Sequence, residues 1–581
     1  MWHTVVRCGL ASARLELGRV RCSISALPAC LAISALLFGT NPAKALDWTP
    51  LNQGNAWTSD TRSDFYSRDQ GSRLIPLRWI VALKQADGTP FMANSLARYG
   101  YIPNEGSSPP GLPVGFTVAG TTTGETLGMT CAACHTRQLI VQGTAYRVDG
   151  GPAIVDIQGL LVDLDTAVGK LFTDSPSFDD FSKTVLGSSP TSGQVTALRQ
   201  DLQEWYTPFH TIVSRGTPQT PWGPGRLDAI SMIFNRLTGL DIGPPPTYII
   251  ESNIQRADAP VRYPFLWNAW RQDKTQWPGF ADNGNAILGL GRNVGEVTGV
   301  FAAYHPKKDS GRVLGINYVG DNSTNFDGLL ALERLIKKIG PPAWVWAKNP
   351  TLVAAGSKLF AQNCAHNCHE QKVNLITKTW ATPIQNVGTD AHEWTILDRK
   401  VDPGVLAGAA IPGTTPLQNP DAAQKVLSLS VIGSIIQHTV PVVLPNELRQ
   451  DIAHSDSVFS PETEALKGAF RYGSTAAVRG SYESRVLKGI WAAAPYLHNG
   501  SVPTLAELLK PASERVSTFK VGPNYDLDTV GLATQQTAFT QVRATTDCSD
   551  IDSGNSRCGH EFGTKLLPAQ KKALLEYLKS L

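Results

Sequence analysis

The chain has 581 residues, 42% of them hydrophobic and 17% charged, enough for two or three domains that each bury a core. Its 52 basic and 49 acidic residues give a net charge of +3, but residues 1–45 hold five of the basic residues and one acid. The remainder is close to neutral and has no basic stripe, which excludes nucleic acid as a partner. The 52 glycines and 39 prolines favour helices joined by long irregular loops.

The N-terminus has the pattern of an export signal. Four arginines between Arg7 and Arg21 precede an apolar run over residues 24–38, and Ala43-Lys44-Ala45 resembles a cleavage site. The apolar run has about 15 residues, whereas a membrane span needs roughly 20. We therefore expect a signal peptide over residues 1–45 and a periplasmic or secreted protein, with an uncleaved N-terminal anchor as the alternative. We expect no integral membrane segment after cleavage.

The first motif with specific chemistry is Cys131-Ala132-Ala133-Cys134-His135. Two thiols at this spacing can bond the vinyl groups of a haem, and the following histidine can ligate its iron. The alternative is a zinc or redox CxxC that happens to precede a histidine. The β-branched stretch Gln138–Val148, which directly follows, predicts a short hairpin.

Apolar residues at helical spacing predict a series of helices after the hairpin. These cover Ile154–Phe172, Val195–Tyr206, Arg226–Leu237, Gly295–Tyr304 and Phe326–Ile339. Gly340-Pro341-Pro342 ends the last helix and predicts a domain boundary. The predicted domains are an N-terminal haem domain over residues 46–340 and a C-terminal cytochrome c-like haem domain over residues 341–581. The predicted fold class is mainly α, with long irregular loops and a few short strands.

A second motif, Cys364-Ala365-His366-Asn367-Cys368-His369, has one more residue between its cysteines. The helical segment Val353–Asn363 leads into it, and Pro568–Leu581 predicts an amphipathic terminal helix, as at the two ends of a cytochrome c domain. The motif thus predicts a second covalently bound haem c. The alternatives are a disulfide between Cys364 and Cys368, or a metal site that includes His366.

The two cysteines outside these motifs, Cys548 and Cys558, are predicted to form a disulfide in an exported protein, with free thiols as the alternative. No methionine lies in the region of the second motif, so we do not expect a methionine ligand to that iron. Histidines after the second motif could supply the sixth ligand: His392, His438, His454, His498 and His560.

Several blocks of the sequence resemble those of bacterial di-haem cytochrome c peroxidases. They resemble more closely the blocks of rubber oxygenases and periplasmic fatty-acid (oleate) dioxygenases. The blocks are Trp491–Leu505, Gly559–Thr564, Tyr263–Trp267, Gln276-Trp277 and Gly291–Val297. The resemblance covers most of the exported chain, is specific in these blocks, and implies two cytochrome c-like haem domains in a peroxidase-like arrangement.

The resemblance also implies roles for individual residues. His560 stands where the peroxidases have a methionine, which implies a six-coordinate, low-potential haem held by His369 and His560, with His498 as the alternative ligand. The haem of His135 would then be the reactive one, with an open face. Glu296 corresponds to the acid/base glutamate of the peroxidases; the alternative is a solvated helix carboxylate.

An apolar pocket beside the reactive haem is expected from four aromatic residues, although such residues are also common in plain cores. They are Phe265, Trp267, Trp277 and Phe301. The longer second motif and the wide separation of His135 from His369 depart from a minimal peroxidase.

Three functions follow as hypotheses. The first is an oxygenase that activates O₂ at the N-terminal haem on a small or polymeric apolar alkene. The second is a peroxidase that reduces H₂O₂ with Glu296 as proton shuttle, and with a small redox protein as a possible electron donor. The third is a non-catalytic di-haem electron carrier.

Overall fold

The structure is a computed structural model that describes residues 47–120, 124–411, 414–439 and 478–581. The predicted signal peptide and His454 lie outside the described residues. Within the described part of the chain, no helix is long and apolar enough to cross a membrane.

Thirteen α-helices are found in the described ranges. They are α1 Ser59–Ser67, α2 Leu77–Ala82, α3 Ile157–Thr173, α4 Ser175–Leu186, α5 Ser192–Gly216, α6 Ala229–Arg236, α7 Ala286–Gly299, α8 Phe326–Ile336, α9 Pro350–Phe360, α10 Trp394–Leu397, α11 Ala423–Thr439, α12 Leu505–Leu508 and α13 Pro568–Leu578. Side-chain caps fix several helix starts; Asp156 caps α3 and Asn285 caps α7 by accepting from backbone N–H groups.

Short strands pair in small sheets between the helices. They are β1 Trp48–Pro50, β2 Ile75–Pro76, β3 Phe116–Ala119, β4 Thr126–Met129, β5 Thr136–Val141, β6 Thr144–Asp149, β7 Arg226–Leu227, β8 Val261–Arg262, β9 Lys274–Thr275, β10 Ala281–Asp282, β11 Lys307–Lys308, β12 Ile316–Asn317, β13 Ile384–Asn386, β14 Lys400–Val401, β15 Asp421–Ala422, β16 Ser481–Glu483, β17 Thr518–Lys520, β18 Tyr525–Asp526, β19 Gly531–Leu532 and β20 Val542–Ala544. Two sheets have three strands, in the orders β1-β6-β5 and β2-β4-β3. The predicted hairpin is confirmed as β5 and β6, so the fold is a mixture of helices and short strands rather than mainly α.

Two helix predictions are wrong at one end. The segment predicted over Arg226–Leu237 begins as strand β7, and α6 starts only at Ala229. The segment predicted over Gly295–Tyr304 continues α7 only to Gly299, after which Phe301 takes a φ of +72°. Ala302 then pairs with Ser72 as an isolated β-bridge. The apolar residues beyond Gly299 are buried as extended chain, which the apolar pattern alone does not distinguish from helix.

The first and last helices of the C-terminal region cross in close contact. At Gly356 in α9, a Cβ atom would lie 2.0 Å from the carbonyl oxygen of Ala573 in α13, so only glycine permits this approach. Phe360 packs on Tyr577 with ring centres 5.2 Å apart. The helix before the second motif therefore packs directly against the terminal helix.

The predicted boundary near Gly340 stays a prediction. One hydrophobic cluster contains buried residues from both sides of it, for example Phe265 and Leu332 before it and Trp491 and Leu574 after it. Near the C-terminus, Cys548 and Cys558 form a disulfide with their Cα atoms 5.5 Å apart.

Candidate functional site

The first motif folds as a tight turn between two strands. Residues Cys131–Ala133 form one 3₁₀ turn after β4, and His135 is followed at once by β5. Gly115 permits the approach of the neighbouring chain, because a Cβ there would lie 2.0 Å from the backbone nitrogen of Ala133. Cys131 and Cys134 are free thiols, and burial raises the pKa of each to about 12. Both cysteines are unpaired, as haem attachment requires.

His135 is oriented by the main chain. Its Nδ1 is 2.9 Å from the carbonyl oxygen of Pro264, which makes Nδ1 the donor and leaves Nε2 available as a ligand. Burial lowers the pKa of His135 to about 4, so the ring is neutral near pH 7. A neutral imidazole held through its second nitrogen is the usual form of an iron ligand.

His135 opens onto a large cavity, here called the first cavity, with about 1540 Å³ of empty space including its mouth. Its walls include Cys131, Cys134, His135, Phe265, Trp277, Glu296 and Phe301. Trp267 is not among these residues, so the prediction that it lines the pocket is wrong. Trp267 stacks behind Phe265 at 4.7 Å between ring centres and donates to the Lys488 carbonyl.

Glu296 faces the first cavity from α7. Its Oε1 accepts a hydrogen bond of 2.7 Å from the Gln276 amide and lies 3.8 Å from Nε of Arg292. Arg292 is shared with the buried Glu333 at 2.9 Å, so it is not dedicated to Glu296. The Glu296 side chain is 42% accessible, and the accessible part borders the cavity. Its carboxyl group is otherwise enclosed by protein, and this burial raises the pKa of Glu296. The carboxyl group is thus placed to hold and release a proton inside the cavity.

The second motif accommodates its extra residue as a bulge. α9 continues into an irregular helical segment over Ala361–His369, in which Asn367 has a φ of +61°. His366 and Asn367 are exposed at this bulge. Cys364 and Cys368 are free thiols, so the alternative disulfide is not formed. No cluster of three or more potential metal ligands occurs among the described residues, which argues against the metal site with His366.

The arrangement of His369 repeats that of His135. Its Nδ1 lies 2.7 Å from the carbonyl oxygen of Arg485, which again leaves Nε2 available as a ligand. Burial lowers the pKa of His369 as well. The two motifs, far apart in sequence, therefore present their histidines in the same way.

His560 faces His369 across a second cavity of about 1230 Å³, mouth included, which both rings line. Their ring centres are 6.2 Å apart. One metal ion with a bond of about 2 Å to a nitrogen of each ring requires about this separation. The Nδ1 atom of His560 is buried and has no hydrogen-bond partner among the described residues. Burial, with His369 and Arg515 nearby, lowers the pKa of His560 to about 3, so it also is neutral.

His498 lines the second cavity but is held by other rings. It stacks on Tyr482 at 3.7 Å between centres and meets the edge of Trp277 at 6.5 Å. Burial and Arg262 lower its pKa to about 3. Since its ring is sandwiched against the wall, the ring pair of His369 and His560 is the better match to two axial ligands.

A wall of five residues borders both cavities, here called the shared wall. It consists of Arg262, Phe265, Trp277, Glu483 and Arg485. Arg485 donates from Nη2 to the Phe265 carbonyl at 2.9 Å, and its guanidinium lies 4.0 Å from the centre of the Phe265 ring. Its Nε is buried and unpartnered within the described ranges. Sequence reasoning missed Arg485 and Glu483. The available signal was two charged residues of opposite sign, two positions apart, shortly before the Trp491–Leu505 block.

The residues of both cavities fit a covalently attached haem. Each cavity offers two free thiols, a neutral imidazole anchored at Nδ1, and mainly apolar walls. The unpartnered Nε of Arg485 is a donor suited to a carboxylate such as a haem propionate.

Comparison with known proteins supports this interpretation. Residues 481–520 match the family model described as RoxA-like, cytochrome c-like, a stretch that contains Arg485 and His498. The chain is 28% identical over 591 residues to the uncharacterized protein y4iJ of Sinorhizobium fredii, covering 90% of this chain and 92% of that protein. It is 26% identical over 268 residues to the uncharacterized protein y4iM of the same organism, covering 46% and 48%. The chain thus contains a RoxA-like cytochrome c-like region, which implies covalently bound haem c and a haem-dependent oxidoreductase.

Proposed function

We propose that the protein is an exported di-haem oxidoreductase that activates O₂ in the first cavity and oxygenates an apolar alkene. The observation that carries this proposal is the difference between the two cavities. The second presents two facing histidine rings, whereas His135 is the only histidine that lines the first within the described residues. The first site therefore has a face free of imidazole, and a haem with an open face supplies O₂ chemistry when bound.

The walls of the first cavity support an apolar substrate. Besides Phe265, Trp277 and Phe301, they include Leu161, Ile230 and Ile233. These side chains exclude water from the space next to His135 and bind a hydrocarbon chain through its apolar surface. Charged groups lie in two parts of the lining, around Glu296 and in the shared wall, and the hydrocarbon chain would bind along the apolar side chains between them.

The second site is proposed as the electron-transfer site. His369 and His560 would together hold a haem iron there, which would supply electron transfer rather than substrate binding. The shared wall places it directly beside the first cavity. A small redox protein is the proposed electron donor, and export through residues 1–45 would place the protein in the periplasm or outside the cell.

Reduction of H₂O₂ is the second candidate function. The hydrogen bond from Gln276 to Glu296 and the raised pKa of this buried carboxyl favour it, because peroxide reduction needs a group that moves protons at the iron face. The third candidate, an electron carrier, is favoured by Met129 and Met232, whose thioethers line the first cavity and would close its open face if either bound iron.

Two measurements on the purified protein come first. We expect a pyridine haemochrome assay to give two haems per chain, and CO titration of the reduced protein to give one CO per chain. No CO binding would refute both enzymatic functions and support the carrier.

Substrate assays then distinguish the two enzymes. Oxygen uptake with oleate or polyisoprene supports the oxygenase, whereas no uptake and no product with either contradicts it. For the peroxidase, Glu296→Gln should lower peroxide turnover by about 10²-fold. Glu514→Gln, at an exposed carboxylate, is the matched control. Equal peroxide turnover in both variants would remove Glu296 from the mechanism.

A further inference from the structure

Phe301 holds a backbone conformation that a bulky side chain rarely adopts. Its φ is +72°, directly after α7 ends, and its carbonyl oxygen accepts a hydrogen bond of 2.9 Å from the Arg73 N–H. Such a conformation costs about 1–3 kcal/mol and persists where the surroundings enforce it, often at functional sites. The ring is buried, so the strained backbone fixes where an aromatic side chain stands inside the protein.

Behind this ring lies a further cavity, here called the side cavity, with about 1260 Å³ of empty space including its mouth. Phe301 lines both the side cavity and the first cavity, and no other described residue does. The side cavity is otherwise bordered by α5, by the π-helical turn Leu237–Asp241 after α6, and by residues 246–248. Phe301 is therefore the residue at which the side cavity meets the space beside His135.

The walls of the side cavity suit a hydrocarbon chain. Trp205 and Phe209 stack at 4.7 Å between ring centres, and Phe209 meets Phe301 at 5.7 Å. Leu74 and Leu240 complete an apolar strip that leads to Phe301. This strip continues the apolar lining of the first cavity on the other side of the ring.

Charged groups also border the side cavity, and several of them have charged partners. Arg236 lies 3.6 Å from Asp241, and Arg73 pairs with Asp69 at 2.8 Å. The Arg236 guanidinium is 5.1 Å from the centre of the Phe301 ring, a distance that allows a cation–π contact. The arginine thus holds the ring in its closed position through one weak contact.

We propose that the side cavity is the access site for the apolar substrate, an unsaturated hydrocarbon chain, and that the Phe301 ring is the gate between it and the first cavity. Rotation of the phenyl side chain joins the two spaces without moving the backbone hydrogen bond to Arg73. This inference rests on the proposed function, because it requires an iron face in the first cavity that a ligand can reach.

The test uses reduced, haem-loaded protein and ferrous-haem ligands of increasing size: CO, methyl isocyanide and n-hexyl isocyanide. Their association rates are measured by stopped flow. Phe301→Ala should accelerate n-hexyl isocyanide about tenfold, equivalent to about 1.4 kcal/mol in the barrier, and CO much less. Thr207→Trp, which adds bulk in the side cavity from α5, should slow n-hexyl isocyanide by a similar factor. Gln200→Trp, exposed on the same helix and outside the cavity, is the control.

Each outcome decides between the proposals. If CO binds but neither variant changes the n-hexyl isocyanide rate relative to the control, the access route is wrong and the proposed function stands. If the wild-type protein binds neither CO nor an isocyanide, the open iron face is refuted and the route fails with it. The Thr207 variant keeps the test valid should Phe301→Ala not fold.

Discussion

Replacement of His560 by alanine tests the two-ligand interpretation of the second site. The ring centres of His369 and His560 are 6.2 Å apart, the separation that one iron between them requires. His560→Ala removes one ligand and leaves His369 in place, because the carbonyl oxygen of Arg485 still accepts the Nδ1–H of His369 at 2.7 Å. The second haem should therefore remain attached but gain an open face.

The magnitude follows from counting iron faces. Wild-type protein should bind one CO per chain, at the first haem, and His560→Ala should bind two, which doubles the amplitude of the CO difference spectrum. His498→Ala is the matched control, since His498 lines the same cavity and is stacked on Tyr482. It should keep the wild-type count. His560→Met should instead restore six-coordination and raise the reduction potential of the second haem.

The reasoning fails if CO titration gives the same count for wild type and His560→Ala. It also fails if His498→Ala gains a CO site while His560→Ala does not, because His498 would then be the ligand. Haem content measured on the same samples excludes loss of the cofactor as the reason for an unchanged count.

Three further predictions concern stability. Reduction of the Cys548–Cys558 disulfide, which spans a sequence separation of 10, should lower the free energy of unfolding by about 2.7 kcal/mol in a urea titration. Cys548→Ser should lower it by the same amount, and an unchanged urea midpoint would contradict the prediction. Gly356→Ala should cost about 1–3 kcal/mol, because the new Cβ collides with the Ala573 carbonyl; a neutral result would refute the close crossing of α9 and α13. Burial raises the pKa of Asp241 from 3.8 to about 7. Between these two pH values the Asp241 carboxyl keeps its proton in the folded state and has lost it in the unfolded state. Stability should then fall as the pH rises from 4 to 7, by up to about 1.4 kcal/mol per pH unit, and Asp241→Asn should flatten this loss in thermal melts. Parallel pH profiles for the two proteins would contradict it.

Local patterns in the sequence predicted the parts of the site that depend on local spacing. The two cysteine–histidine motifs, the hairpin after the first and the helix before the second are each encoded within about ten residues. His560 was assigned from the resemblance to the peroxidases, not from local spacing, and the structure puts it opposite His369. The extra residue of the second motif needed only a bulge at Asn367, which an exposed asparagine adopts readily.

The remaining parts depend on contacts between distant segments. The hydrogen bond between Arg485 and Phe265 joins residues 220 positions apart, and no local pattern encodes it. Trp267 was assigned to the pocket wall because it is aromatic and close in sequence to Phe265, but the irregular chain there has no period that assigns its side chains to faces. Consequently Trp267 packs behind Phe265 instead of lining the cavity.

The shared wall makes the two sites a single unit. The carbonyl of Pro264 orients His135, and the carbonyl of the next residue, Phe265, accepts from Arg485. The carbonyl of Arg485 in turn orients His369. Three hydrogen bonds and the intervening peptide bonds thus connect the two histidines. The connection depends on one buried side chain, that of Arg485. Because of this connection, a shift of either imidazole displaces the carbonyl group that orients the other. Substitutions in the shared wall should therefore perturb both sites together. Substitutions of His560 or Phe301, which lie outside the shared wall, should each affect only one site.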